Sequence, residues 1–406
     1  MCMAKLIDIT GRSLSGEWGS DDETGNGIPV LRTTNFTNEG VVDYKDVVTR
    51  KITKKNIEEK FLCRGDIIIE KSGGSDKHPV GRVVYFDGEE HKYLFNNFTG
   101  LLRVKNKKEW YPKYVFYSLF ANYRYGGTRI YENKTTGLHN LKTDDYVSRY
   151  EITDIGKAEQ ISICKKLDIL HGIIKKRKQE LELLDSLIKA RFVEMFGDEN
   201  NPQNWNIINV EDVADVQVGV VIKPSQYYTD KGNGVKAFRS LNIGEGFIKD
   251  NDWVYFTEEG HKKNSKSIVK ENDLLIVRSG APGTACVVTQ KYIGYNAIDI
   301  IIVHPDCKKI NPYYLCCYTN MPHGKKQINE GIGGAAQQHF NVGKYNKLRL
   351  MLPPKELQDE FAAFIHQVDK SKLLSLIKLL EQLITYLYNV FIIYRQDKGE
   401  EVEDHE

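Results

Sequence analysis

Arginine and asparagine recur in this chain at one internal spacing. Arg32-Thr33-Thr34-Asn35 and Arg239-Ser240-Leu241-Asn242 each place a guanidinium and a carboxamide at the end of a short apolar run. Arg32, Thr33 and Asn35, and likewise Arg239, Ser240 and Asn242, offer the donors and acceptors that bond phosphates or read guanine and adenine edges. The same side chains have a structural use, Asn35 and Asn242 as turn caps and the arginines as partners of Asp66 and Asp273; the sequence leaves both open. A second pair of motifs is Lys71-Ser72-Gly73-Gly74 and Arg278-Ser279-Gly280-Ala281. Each sets a cation and a hydroxyl beside backbone N–H groups that glycine exposes, a combination that suits phosphate.

Loops beyond these motifs add polar groups. Ser75-Asp76-Lys77-His78, with Lys77 and His78 as candidate contacts, has no match in the other half of the chain although its frame does. Two readers of different sequences would differ in that way. Arg124, Arg129, Lys134, Thr136 and His139 precede one long helical stretch, and Lys325, Lys326, Gln337, Gln338 and His339 precede another. Gln and Arg bond base edges in two places, and a solvated loop is the alternative.

Catalytic chemistry finds little support. Asn311-Pro312-Tyr313-Tyr314 approaches the Asn-Pro-Pro-Tyr loop of adenine methyltransferases but lacks the second proline, and its counterpart is Tyr111-Pro112-Lys113-Tyr114. Gly331-Ile332-Gly333-Gly334-Ala335-Ala336 fits a dinucleotide fingerprint only in letters, because a polar segment rather than an apolar strand precedes it. There is no GxxxxGK[ST] phosphate loop. A metal-binding set of Asp46, Glu58 and Glu59 becomes Trp253, Ser265 and Lys266 in the second half, which argues against a nuclease.

The elements that position these groups are written twice. Asn35 and Asn242 stand 207 residues apart (242 − 35), as do Asp8 and Asp215, Arg32 and Arg239, Asp66 and Asp273, Ser72 and Ser279, and Gly73 and Gly280. Past Gly73 the second copy is shorter: Gly81 answers to Gly283, and an offset of 199 aligns Lys92-Tyr93 with Lys291-Tyr292 and Asn97 with Asn296. Tyr146 then answers to Tyr345 and Gln160 to Gln358. Each copy reads as short β runs with turn punctuation, including Asp66-Ile67-Ile68-Ile69 and Asp273-Leu274-Leu275-Ile276. Pro112 and Pro312 each open a Tyr-rich helical segment, and a long helix ends each copy.

Those long helices carry apolar residues in alternating steps of 3 and 4. Leu170, Ile174, Leu181, Leu184 and Ile188 mark the first, with Ile377, Leu380, Ile384, Leu387 and Phe391 marking the second. Two matching stripes predict a paired coiled coil, with a seam of about 28 residues and about 40 Å, close to one DNA turn. The fold class is therefore α+β, as two similar domains with their helices packed together.

Composition sets the outer bounds. At 406 residues and 46.6 kDa the chain is long enough for several cores. Its formal charge of +2 hides an asymmetry: residues 397–406 hold one Lys and six acids, leaving 56 basic against 49 acidic residues, or +7, in the body. That acidic tail predicts a solvated, disordered end. Seven scattered cysteines lack zinc or disulfide spacing, and no apolar signal region or membrane span appears, which predicts a cytoplasmic protein.

With these motifs assembled, the chain resembles the specificity subunits of type I restriction-modification systems. The likeness rests on the Arg-x-x-Asn strands at Arg32 and Arg239, on Gly65-Asp66-Ile67-Ile68-Ile69, on Ser-Gly at Ser72 and Ser279, and on Gln337-Gln338-His339-Phe340-Asn341-Val342 leading to Pro353-Pro354 and Gln358. The first copy departs from it, with Leu138-His139-Asn140-Leu141 lacking the Gln pair. The resemblance implies two target recognition domains, 1–153 and 199–353, each followed by a helical spacer, 154–198 and 354–396, the two spacers packing as an antiparallel coiled coil, with the tail at 397–406. It implies a non-catalytic reader of double-stranded DNA with a bipartite, asymmetric target. It further implies docking of two modification (methyltransferase) subunits, bringing S-adenosylmethionine, and of restriction subunits, bringing ATP and Mg, with no cofactor on this chain. A stand-alone methyltransferase or nuclease, and a free DNA-binding regulator, are the rival readings.

Overall fold

The computed structural model describes residues 2–76, 78–135, 138–331 and 340–396, giving the backbone alone at 134–135, 138 and 382–396. Contacts divide the chain into two compact units, Met1–Gly172 and Ile173–Glu406.

In the first unit, the strand Ile67–Glu70 lies between Thr99–Leu102 and Val83–Tyr85 in an antiparallel sheet, with Leu14–Ser15 at the far edge. All four of its residues are buried, because both faces are covered. Ile67 and Ile69 enter one core with Leu6, Val115 and Leu119, while Ile68 enters another with Leu31, Phe36 and Phe86. Successive side chains of a strand point to opposite faces, so a strand between two cores is apolar on both, as at Ile67, Ile68 and Ile69, with the buried Glu70 at its end reached by Arg82. The second unit repeats this around Leu274–Val277: Leu274 and Ile276 join Phe192, Tyr314 and Phe361, and Leu275 and Val277 join Phe238 and Ile302.

A smaller sheet carries the Arg-x-x-Asn motif in each unit. Ile28–Leu31 pairs with Val48–Lys51 and, in parallel, with Leu94–Phe95; Val235–Phe238 pairs with Val254–Phe256 and, in parallel, with Asn296–Ala297. This pairing corrects the repeat beyond Gly73. Val30 sits opposite Leu94 and Ala237 opposite Asn296, so the offset is 202 (296 − 94), the value that Gly81 and Gly283 also give. Tyr93 is therefore the counterpart of Tyr295; their carbonyls accept the N–H of Leu62 and Val269, each at 2.9 Å. The Lys-Tyr and Asn identities at 199 are a three-residue slip.

Four helices matter for the site. Helix α1 (Pro112–Arg124) has Pro at its first position, where a missing N–H costs nothing. Helix α2 is Lys157–Phe196, α3 (Pro312–Asn320) repeats the proline start, and α4 is Lys355–Gln396. Within the second unit α2 and α4 run antiparallel: Arg191 Nη2 meets Glu360 at 3.1 Å, Lys372 meets Asp185 at 2.7 Å, and Ser375 Oγ donates to Glu180 at 3.0 Å. Leu170, Ile174, Leu181, Leu184 and Ile188 are half-buried on α2.

The stripe on α4 needs correcting. Ile377 and Leu380 are 40% and 58% exposed, whereas Phe361, Ile365, Val368 and Ser375 are buried and Lys372 half-buried. The facing line is polar at its middle, where Lys372 and Ser375 answer acids on α2, so counting apolar residues alone placed it one to two positions too late. The side chains of Ile384, Leu387 and Phe391 lie outside the description. No described helix is long and apolar enough to cross a membrane.

Candidate nucleic-acid interface

Both Arg-x-x-Asn motifs fold into one-turn 3-10 helices, Thr33–Asn35 and Ser240–Asn242, closed by the asparagine itself. Asn35 Oδ1 accepts the N–H of Arg32 at 2.9 Å and its Nδ2 donates to Asp43 O at 3.0 Å; Asn242 Oδ1 accepts from Arg239 N at 2.9 Å and its Nδ2 donates to Asn251 O at 2.7 Å. Both residues are buried. Their amides are consumed by the turn, so the reading of Asn35 and Asn242 as base contacts is corrected to a cap. Arg32 and Arg239 do not pair with Asp66 and Asp273. Each donates through Nη2 to a carbonyl, Asp46 or Asp252, and keeps a buried Nε with no partner. Thr33 and Ser240 are half-exposed beside them.

The aspartates have another task. Asp66 accepts Cys63 N at 2.8 Å and a bidentate pair from Arg103 at 2.8 and 2.6 Å, while Asp273 accepts Lys270 N at 2.7 Å and meets His304 Nδ1 at 2.6 Å. The turn bond repeats at 207 residues, and only the cation changes. Arg82, which no sequence motif marks, donates to the carbonyls of Thr33 and Phe36, each at 2.9 Å, and reaches Glu70 at 3.4 Å. It thereby ties the first motif to the strand that delivers Lys71 and Ser72. Such bridges span dozens of residues and leave no local trace.

Lys71 donates to Ser15 Oγ at 2.9 Å, and partial burial, aided by Lys60, pushes its ammonium below the usual lysine range despite Asp144. Ser72 is half-buried and Gly73 is exposed with φ +128°, a conformation that needs glycine. In the second unit Arg278 is committed to the fold, through Asp299 at 2.5 Å and Phe340 O at 3.1 Å. Its expected role as a free phosphate cation is corrected accordingly. Ser279 and Gly280 line a cleft of about 950 Å³ with Ser240, Leu241, Leu181 and Lys189, so the second unit gathers both of its motifs at one opening.

The remaining candidates scatter. Arg124, Arg129 and His78 are exposed, and Arg129 Nη2 donates to Asp76 O at 3.2 Å. His139 is 4% exposed and its Nδ1 lies 2.9 Å from Glu132, so its role is corrected from surface reader to strut of the Glu132–Thr135 and Leu138–Leu141 hairpin. Lys134 pairs with it through the backbone. Lys325 and Lys326 bond Glu245 at 2.5 Å and Glu199 at 3.2 Å. Lys77, Thr136, Gln337, Gln338 and His339 lie outside the described residues. Among those described, no group of three or more His, Cys, Asp or Glu forms a metal site. All seven cysteines are unbridged, and burial pushes the Cys164 and Cys317 thiols up to about 12.

Comparison with known proteins places this frame. A type I restriction-modification system S subunit from M. genitalium superposes with a TM-score of 0.54 at 14% identity, covering 95% of this chain and 93% of that one. A chain from a study of complex assembly and conformational transition of the type I R-M system gives 0.52 at 13% identity, covering 95% and 94%. In sequence the chain is 21% identical over 345 residues to the type I restriction enzyme MjaVIII specificity subunit of Methanocaldococcus jannaschii, covering 80% of this chain and 77% of the relative. It is 20% identical over 379 residues to the EcoBI specificity subunit of Escherichia coli, covering 84% and 78%. The type I restriction modification DNA specificity domain matches twice, at residues 3–183 and 202–385. The chain therefore belongs to the family of type I restriction-modification DNA specificity subunits, with one specificity domain in each half.

Proposed function

We propose that this chain reads a bipartite, asymmetric double-stranded DNA target, one half with each recognition domain, and has no catalytic residues of its own. The domains are 1–153 and 199–353, the spacers 154–198 and 354–396, and the tail 397–406. The carrying observation is that two copies share a frame, capped by Asn35 and Asn242 and braced at Asp66 and Asp273, while the groups mounted on it differ. A shared frame with unlike surfaces suits two unlike half-sites.

Affinity on this reading is partly borrowed. A body charge of +7 releases few counterions, and two modification subunits docked on α2 and α4 supply further backbone contacts. Those subunits bring S-adenosylmethionine, and restriction subunits bring ATP and Mg, so methylation and cleavage belong to the partners and take place in the cytoplasm. The helices fix the number of unread base pairs.

Exchanging residues 1–150 for the same region of a relative tests this. Base preference, read by selecting bound duplexes from a random pool with the assembled complex, changes in one half of the target and the spacing is kept. Change in both halves would overturn the proposal.

A further inference from the structure

The turn after α1 presents two large hydrophobic side chains to water, each directly after an arginine. Tyr125 is 91% exposed and Ile130 81%, the highest values among the large hydrophobic residues described, and exposed Arg124 and Arg129 immediately precede them. Loose packing does not explain the exposure. Thr128, in the middle of the turn, is fully buried. Gly81 must be glycine there, since a Cβ would come within 2.8 Å of Thr128 Cγ2. Gly126 holds φ +76°, and a Cβ on Gly127 would fall 2.2 Å from the Asn122 side chain. The turn is thus fixed at its centre while its two ends display apolar surface.

The second unit holds the same anchor and a different display. Ile328 is also fully buried, and a Cβ on Gly283 would come 2.7 Å from its Cδ1, so Ile328 occupies the place of Thr128. At that offset of 200 (328 − 128), Tyr125 corresponds to Lys325 and Ile130 to Glu330. The stretch is a 3-10 turn, Gly127–Tyr131, in the first unit and an α-helix, Pro322–Gly331, in the second, so the anchor is shared while the residues displayed on it are not. The turn is also joined to Asp76, through the bond from Arg129 to its carbonyl at 3.2 Å.

We propose that Tyr125 and Ile130 are base-contacting residues of the first recognition unit, an apolar pair that packs into the groove against a base step while Arg124 and Arg129 bond the flanking phosphates. Resting on the DNA reading above, the assignment adds residues that determine specificity in one half-site only. Apolar side chains that unstack or cover a base step are sequence-sensitive, because steps differ in stacking and deformability. Arginines beside them bond phosphates without regard to sequence.

The test uses the full chain assembled with its modification subunits and a duplex selected from a random pool by the wild-type complex. Replacing both residues, Tyr125→Ala with Ile130→Ala, lowers affinity for that duplex on the order of tenfold, leaves affinity for unrelated duplex and its salt dependence unchanged, and blurs selection in the half assigned to residues 1–150 by domain exchange. Tyr125→Phe retains binding. Replacing both arginines, Arg124→Gln with Arg129→Gln, weakens selected and unrelated duplex alike and reduces the salt slope by about 2. An equal loss on both duplexes from the alanine pair, no loss, or failure to assemble with the modification subunits on gel filtration would overturn the assignment, the last pointing to a protein contact. A wild-type complex that selects no sequence overturns the underlying DNA reading instead.

Discussion

Gln160 and Gln358 each stand at the fourth position of a long helix, and each accepts a backbone N–H from the segment before the proline-led helix of its own unit. Gln160 Oε1 takes Tyr111 N and Gln358 Oε1 takes Asn311 N, both at 2.8 Å. The amide nitrogens donate back, from Gln160 to Ile155 O and Glu109 O at 2.9 and 3.2 Å, and from Gln358 to Pro353 O at 2.8 Å. Both glutamines are buried. Each unit thus latches the start of its long helix to the segment before its proline-led helix through the same glutamine.

Removing either latch should therefore loosen its own unit. Gln358→Ala leaves the Asn311 N–H and the Pro353 carbonyl unpaired, a loss of about 1–3 kcal/mol, seen as a lower melting temperature. Gln160→Ala strands three partners and should be the worse of the two.

The bidentate pair of Arg103 and Asp66 predicts a larger effect. Asp66 is 1% exposed, and a buried carboxylate stripped of its cation costs about 3 kcal/mol or more. Arg103→Ala should destabilise the first unit by that amount in chemical denaturation, and the double variant with Asp66→Asn should recover part of it.

His323 supplies a pH signature for the second unit. It packs on Tyr318 at 4.5 Å between ring centroids, its Nε2 is buried without a partner, and burial holds its pKa below the ordinary value of 6.5 despite Glu199 and Asp198. The unfolded chain takes up the proton first, so this contribution is fully present above pH 6.5 and is lost as pH falls through that value toward the lower folded one. Melting temperature should drop more steeply between pH 7 and 5 in the wild type than in His323→Phe.

Along α4 the expectation is a contrast. Ile377→Gln and Leu380→Gln, at exposed positions, should change stability by no more than about 0.5 kcal/mol. Phe361→Ala, which opens a cavity among Phe192, Phe196 and Tyr314, should cost about 3–5 kcal/mol. Equal effects would place the contact line on the apolar residues after all.

Much of this fold could be read in the chain because its determinants are local. The strands at Ile67 and Leu274, the capped turns and the proline-led helices rest on residues within a few positions of one another. Asn35 was found by its spacing but not its role, since one amide serves a turn or a base equally well until burial decides. The contact line on α4 was misplaced because Lys372 and Ser375 face the partner helix, and a search for apolar periodicity passes over polar members. Beyond Gly73, chance identities outweighed the true register, which strand pairing sets. Arg82 and Arg103 were missed because their partners lie 12 to 49 residues away, and Glu132 because nothing local marks it as the carboxylate that His139 meets. Tyr125 and Ile130 escaped notice because exposure of an apolar residue is a property of the folded surface.

Met3–Lys5 pairs with Glu151–Thr153, and Asn206–Asn209 with Arg349–Leu352, so the first and last strands of each recognition region lie side by side. On the ribosome this imposes an order. The opening strand waits with an unpaired edge until its partner is synthesised, about 7–30 s later at 5–20 residues per second. Because that partner belongs to the same unit, the first half can close before the second has been made, and a stall or defect downstream leaves it already shut.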